Sequence, residues 1–159
     1  MLSLDPLQNY LSVWYSHHMK TPLTFLLSLT FLFLFSGSVY GDDFQDGLDA
    51  YQKQDYKEAL RLFRLSAEQG YALGQFKSGL MYEKGQGVPK DYKEAFKWYR
   101  LSAEQGFAEA QYNLGVLHYH GRGVLQDHEE AAKWWKLAAE QKLEIAQWNL
   151  EVMHGNSLN

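Results

Sequence analysis

Histidines, paired glycines and carboxylates are the residues of this chain whose types and spacing could do chemistry. His118 and His120 stand two apart, and His154 follows His118 after one 36-residue interval. Imidazoles bind zinc and related metals when several converge on one point. Residues two apart on a helix point to different sides, and the third histidine is a whole helix pair away, so no metal site is expected. Gly85-x-Gly87 and Gly121-x-Gly123 share a spacing with nucleotide-binding loops. Such loops follow a strand and open a helix, whereas these follow helical patterns, and each reads as a turn requiring positive φ. The carboxylates fall at helix caps or on charged faces, with no Ser, His, Asp order and no carboxylate pair set apart from the pattern. No catalytic residue and no cofactor are therefore expected.

The elements that would position these residues follow a 36-residue period. Asp55-Tyr56-Lys57-Glu58-Ala59 returns as Asp91-Tyr92-Lys93-Glu94-Ala95 and as Asp127-His128-Glu129-Glu130-Ala131. Arg64-Leu65-Ser66-Ala67-Glu68-Gln69-Gly70 likewise returns at residues 100–106 and 136–142. A fixed period of this size marks a solenoid, in which each unit buries its apolar face against its neighbours. The expected fold class is thus all-α, an α-solenoid of antiparallel helical hairpins, which narrows the expected function to recognition.

Each unit reads as two helices, A and B. In helix B, Tyr92, Ala95, Phe96, Trp98, Tyr99 and Ala103 recur at helical spacing, with Lys93, Glu94, Lys97 and Glu104 between them. Asp55 with Glu58, Asp91 with Glu94, and Asp127 with Glu130 are capping boxes. Gly70 and Gly106 sit where a left-handed residue ends a helix. Helix A spans Ala72 to Lys84 and Ala108 to His120. Gly79 and Gly115 lie inside it, at a cost of about 1 kcal/mol each relative to Ala, and close approach of Ala95 and Ala131 is the expected reason. Glu151 takes that place in the last unit, which has no following helix B to pack against. Trp98, Trp134 and Trp135 occupy helix B core positions.

The N-terminal stretch differs in composition. Thr21 to Tyr40 carries no charge, and Leu23 to Phe35 is apolar except for Thr24, Ser28 and Thr30. Lys20, the apolar run and the small-residue exit at Val39-Tyr40-Gly41 have the layout of a signal peptide over residues 19–41, cleaved near Gly41. Met19 then serves as initiator, and residues 1–18, which contain no Lys or Arg, are an upstream extension. An uncleaved segment anchored in the inner membrane is the alternative, since 20 residues span a bilayer. Either arrangement puts the repeats outside the cytoplasm, in the periplasm or secreted. The chain has no cysteine, which excludes disulfides, thiolate metal sites and a lipoprotein anchor. Residues 42–159 carry 14 Lys and Arg against 18 Asp and Glu, interspersed, without the basic footprint of a nucleic-acid binder.

Ala110-Gln111-Tyr112-Asn113-Leu114-Gly115-Val116, Gly121-x-Gly123-Val124-x-x-Asp127 and Ala131-x-Lys133-Trp134-Trp135-x-x-Ala138-Ala139-x-Gln141 together resemble the Sel1-like repeat family, relatives of the tetratricopeptide repeats. Gly79-Leu80-Met81-Tyr82 with Gly85-Gln86-Gly87-Val88 and Ala95-Phe96-Lys97-Trp98-Tyr99 carry the pattern one unit earlier. The first unit is shorter: Gly47 to Asp55 is eight residues, whereas Gly79 to Asp91 is twelve. Residues 42–71 therefore resemble an ordinary tetratricopeptide hairpin, followed by Sel1-like units at 72–107 and 108–143 and a capping helix with its tail at 144–159.

The resemblance implies a right-handed superhelix and a non-catalytic adaptor that binds a protein or peptide on its concave surface. It also implies a role in envelope or host-directed complexes, or as a regulatory subunit of a membrane sensor. Some relatives are linked to β-lactam chemistry, but their cysteines are absent here, which leaves an enzyme acting on a β-lactam or a carbohydrate as the last of the alternatives. The tetratricopeptide geometry puts Leu73, Phe76, Lys77 and Leu80, then Glu109, Tyr112, Asn113 and Val116, then Ile145, Trp148, Asn149 and Val152 on the concave side. Phe76, Tyr112 and Trp148 would form an aromatic ladder with steps of about 10 Å, suited to an extended peptide. Tyr112 also fits a bracing role between neighbouring helices.

Overall fold

The structure, a computed structural model, describes residues 42–156; the proposed upstream extension and signal segment lie outside the described residues. Seven helices and no strand occur among the described residues: α1 at 42–52, α2 at Tyr56–Glu68, α3 at Ala72–Lys84, α4 at Tyr92–Glu104, α5 at Ala108–His120, α6 at His128–Glu140 and α7 at Glu144–Asn156. Successive helices from α2 onward pack on one another, and α1 packs on α2 through Phe44, Ala50, Leu60 and Phe63. The all-α hairpin solenoid expected from the period is the fold observed.

The aspartate caps work through one half of the capping box. Asp55 accepts from the Glu58 N–H, Asp91 from Lys93 and Glu94, and Asp127 from Glu130. The reciprocal bond from the glutamate side chain is not made. Each cap N–H instead donates across the hairpin, Asp55 to the Ala50 carbonyl at 3.0 Å, Asp91 to Tyr82 at 2.9 Å and Asp127 to His118 at 2.9 Å. Freed of that duty, Glu58, Glu94 and Glu130 pair outward with Arg61, Lys97 and Lys133. These are exposed pairs that contribute little.

Helix B of each unit ends as the repeat predicts. Gly70 and Gly106 hold φ of 94° and 91°, and Lys142 adopts 66° in the same place, where a side chain costs about 1 kcal/mol.

Helix A approaches helix B closely at its glycines, but the partner is a ring one turn beyond the alanine. A Cβ on Gly79 would lie 2.7 Å from the Tyr99 ring, and one on Gly115 would lie 2.5 Å from Trp135 and 3.1 Å from the Ala131 carbonyl. Close approach is thus the reason for the glycine, made by the Tyr99 and Trp135 rings and, at Gly115, by the Ala131 carbonyl as well. Glu151, in the corresponding position of α7, is exposed.

A buried amide relay stitches the units together. The Gln75 side chain donates to the Ala67 carbonyl at 3.2 Å and accepts from Gln105 at 2.7 Å. Gln111 donates to Ala103 at 3.2 Å and accepts from Gln141 at 2.8 Å. Both central glutamines are 5% exposed, so their polar atoms must be bonded within the protein. Gln147, third in the series, is exposed and turns to Glu151 on its own helix.

Candidate functional site

The helix A face of α5 presents Tyr112, Val116, Tyr119 and His120 at intervals of four, three and one residues, a single stripe on a helix. Opposite them α7 presents Trp148, Asn149, Val152 and Met153, and Trp135 of α6 forms the floor. Between the two helices runs a cleft of about 270 Å³. Gly115 creates it, because only a residue without Cβ lets the Trp135 ring slide under α5.

The floor is fixed in place. Trp135 is 3% exposed, and its indole N–H donates to the Tyr112 carbonyl at 3.1 Å. Tyr119 lies over it at a centroid distance of 5.4 Å, stacks on His128 at 4.7 Å and meets His120 edge-on at 5.1 Å. Trp148 is 61% exposed at the rim. No Asp, Glu, Lys or Arg side chain lines the cleft.

One unit earlier the same positions are closed by polar bonds. Glu83 stands for Tyr119, Lys84 for His120, Tyr99 for Trp135 and Tyr112 for Trp148. There the Tyr99 hydroxyl donates to the Glu83 carboxylate at 2.6 Å and bonds the Asn113 side chain. Burial, then the adjacent Glu83 charge, pushes the Tyr99 hydroxyl far above its ordinary pKa. Its ring contacts Phe76, which also packs on Phe107 with centroids 5.0 Å apart.

The expected concave residues therefore divide. Tyr112, Trp148 and Asn149 come together with Val116 and Val152 in the cleft. Glu109 and Ile145 are exposed outside it, and Asn113 is engaged by Tyr99. Leu73, Phe76, Lys77 and Leu80 are half-buried on α3, where Phe76 is held by its ring contacts. Tyr119, His120, Trp135 and Met153 were not singled out as ligand contacts by the sequence, although Glu83 to Tyr119 is a change visible at the 36-residue step. Trp98 and Trp134 are half-buried against the core, in keeping with their helix B role.

A larger depression of about 430 Å³ opens beside α2, lined by Asp55, Lys57, Glu58, Arg61 and Arg64 among others. Its arginines are already paired, Arg61 with Glu58 and Arg64 with Glu68. Among the described residues no three His, Asp or Glu side chains gather as metal ligands.

His118 packs inside the fold. Its ring meets Phe96 edge-on at 5.4 Å, and its Nδ1 is buried without a bonding partner. Desolvation lowers its pKa below the ordinary value, outweighing the opposing pull of Glu130 and Asp127. A folded-state value below the unfolded one means that stability is fully present above the unfolded pKa of about 6.5 and is lost as pH falls through it toward the folded value. Tm of the wild type should fall more between pH 7.5 and pH 5.5 than that of His118→Phe. Parallel curves would show that His118 carries none of the pH dependence.

These elements define a class: an α-helical repeat protein whose units bury their apolar faces against their neighbours and which carries an aromatic cleft between successive A helices. The Sel1 repeat model matches residues 40–71, 72–107 and 108–143, so the chain belongs to the Sel1 repeat family.

Among solved structures it is similar to c5321, described as a protective antigen present in uropathogenic Escherichia coli strains and displaying an SLR fold. Identity is 39% and TM-score 0.66, over 68% of this chain and 24% of that one. A Sel1 repeat protein from Oxalobacter formigenes is 36% identical with a TM-score of 0.64, over 67% of this chain and 44% of that one. Helicobacter pylori cysteine rich protein B shares the fold at 20% identity and a TM-score of 0.57, over 70% of this chain and 95% of that one. The chain thus spans about a quarter of the first of these and under half of the second. No curated protein matches it.

Proposed function

We propose that the chain is a non-catalytic interaction scaffold, periplasmic or secreted, that binds an extended peptide or protein segment along the A helices. The cleft between α5 and α7 carries this reading. It combines a rigid, hydrogen-bonded aromatic floor at Trp135 with a Trp148 rim that is 61% exposed. Large aromatic side chains fixed in shallow clefts are typical energetic anchors of protein interfaces. The compartment rests on the uncharged run of residues 21–40 following Lys20.

Panning a random-peptide library on the full chain should yield binders that lose at least tenfold in affinity with Trp148→Ala. They should be unaffected by Lys97→Ala, an exposed position of α4 paired only with Glu94. A library that yields no binder sensitive to Trp148 would overturn the reading.

A further inference from the structure

The 36-residue period gives the junction between one unit and the next a twin, and the twins differ in one titratable residue. Where the unit at 72–107 meets the one before it, Tyr82 shares a buried core with Leu60, and its carbonyl accepts the Asp91 N–H at 2.9 Å. Where the unit at 108–143 meets 72–107, His118 takes the place of Tyr82 and Phe96 that of Leu60. The His118 carbonyl accepts the Asp127 N–H at 2.9 Å, and the Leu117 carbonyl accepts the Arg122 N–H at 2.9 Å. The clasp that closes the loop at 121–127 is thus the same in both junctions, while the ring beside it has become an imidazole.

We infer that the junction between the units at 72–107 and 108–143 is an acid-sensitive device, opening locally at the 121–127 loop when the His118 ring takes up a proton, while its twin at Tyr82 does not respond. An imidazolium donates from both ring nitrogens. The His118 Nδ1 is buried with no bonding partner, and on α4 the ring meets Phe96 edge-on at 5.4 Å, which offers no acceptor. The charges that bear on the ring come from α6 and its cap, Glu130 and Asp127. Both are already committed. Asp127 accepts from the Glu130 N–H at 2.9 Å, and the Glu130 carboxylate holds Lys133 at 2.8 Å.

These carboxylates reduce the desolvation cost of a proton on His118 without cancelling it. Local opening returns the ring to water and removes that cost, so proton uptake favours the open form. The other imidazoles of the hairpin, His120 and His128, are exposed beside Tyr119, and opening changes their hydration little. Asp127 stays ionised in mild acid, because the Glu130 N–H holds its carboxyl below the usual value, so the cap of α6 does not fail first. The loop that opens carries Gly123, close against the Tyr92 carbonyl, and Arg122, 5.6 Å from the Tyr92 ring centroid. Loosening it therefore weakens the hold of one unit on the next. The device needs no ligand and stands apart from the peptide-binding reading.

Native-state amide exchange on the full chain, followed by NMR at pH 7.5 and pH 5.0 and corrected for intrinsic rates, measures both twins at once. Protection of the Asp127 and Arg122 amides should fall at least about fivefold in acid. The Asp91 and Gln86 amides, which make the corresponding bonds to Tyr82 and Met81, should change by less than about twofold. His118→Tyr, which installs the residue of the other junction, should remove the fall, and His120→Gln combined with His128→Tyr should leave it in place.

Unchanged protection at Asp127, a fall shared equally by both junctions, a fall that persists in His118→Tyr, or one lost in the double variant would each overturn the inference. Should His118→Tyr fail to fold, the wild-type ring carries the test. A His118 titration below the ordinary imidazole value of about 6.5, with the fall confined to Asp127 and Arg122, upholds the device; a titration at or above that value overturns it.

Discussion

Gly123→Ala should cost the fold at least about 3 kcal/mol, several times the loss from Gly106→Ala, although both replace a glycine of positive φ. Gly106 has φ of 91° and open space where a Cβ would stand, so its alanine incurs only the left-handed backbone penalty of about 1 kcal/mol. Gly123 has φ of 75°, and its Cβ would sit 2.3 Å from the Tyr92 carbonyl oxygen and 2.8 Å from the Lys93 nitrogen. Those are backbone atoms in the first turn of α4, which cannot rotate aside. The loop must lift, and with it goes the Arg122 guanidinium that lies 5.6 Å from the Tyr92 ring centroid. Loss of a tightly constrained backbone approach belongs among the few mechanisms that produce large single-residue effects. Gly87 makes the same approach to Tyr56, also at 2.3 Å, and its alanine should behave alike. Urea unfolding followed by circular dichroism gives the comparison; equal midpoints for Gly123→Ala and Gly106→Ala would show that the loop is free to move.

Tyr99→Ala should be comparably severe, at about 4 kcal/mol, while Tyr99→Phe should lose only about 1 to 2 kcal/mol. The Tyr99 side chain is fully buried and is the largest such side chain among the described residues. It fills the space left by Gly79 and touches Phe76. Removing an aromatic ring from such a site leaves a cavity that helices fixed by their caps cannot close, a loss of about 3 to 5 kcal/mol in well-packed cores. Phenylalanine keeps the ring and gives up the bond to Glu83, whose half-exposed carboxylate can turn to water and so limit the loss. The ratio of the two effects separates packing from hydrogen bonding. Equal losses would mean that the hydroxyl, and not the ring, holds α3 to α4.

The period alone disclosed the helices, their bounds, the aspartate caps and the terminal glycines, because these depend on residues within one unit. Contacts between units were harder to read. Gly79 and Gly115 announced a close approach, and the Ala131 carbonyl does come near Gly115, but nothing in one dimension shows that the helix crossing also brings the Tyr99 and Trp135 rings there. Gly87 and Gly123 were legible as turns; that they also press on the preceding helix B is a relation across the solenoid. Of the residues in the ladder, Tyr112 and Trp148 line the cleft and Phe76 does not. Phe76 is covered by Phe107, a residue preceding the next helix A whose side chain no helical periodicity places. Tyr119 escaped notice because its significance lies in replacing Glu83, and that matters only once both are known to face a cleft.

The glutamine relay has a consequence for how such a chain can lengthen. Within 72–107, Gln75 reaches back to the Ala67 carbonyl of the preceding unit and is held from inside its own unit by Gln105, while the Ala103 carbonyl receives Gln111 of the following unit. A tandem copy of that segment would bring its own bonding partners to both of its borders and present the same unmet set to whatever follows. A duplication that is not a whole number of units would strand a buried amide. Growth by whole units is therefore conservative in hydrogen bonds, and a lineage could vary its number of clefts by recombination without having to invent a new joint.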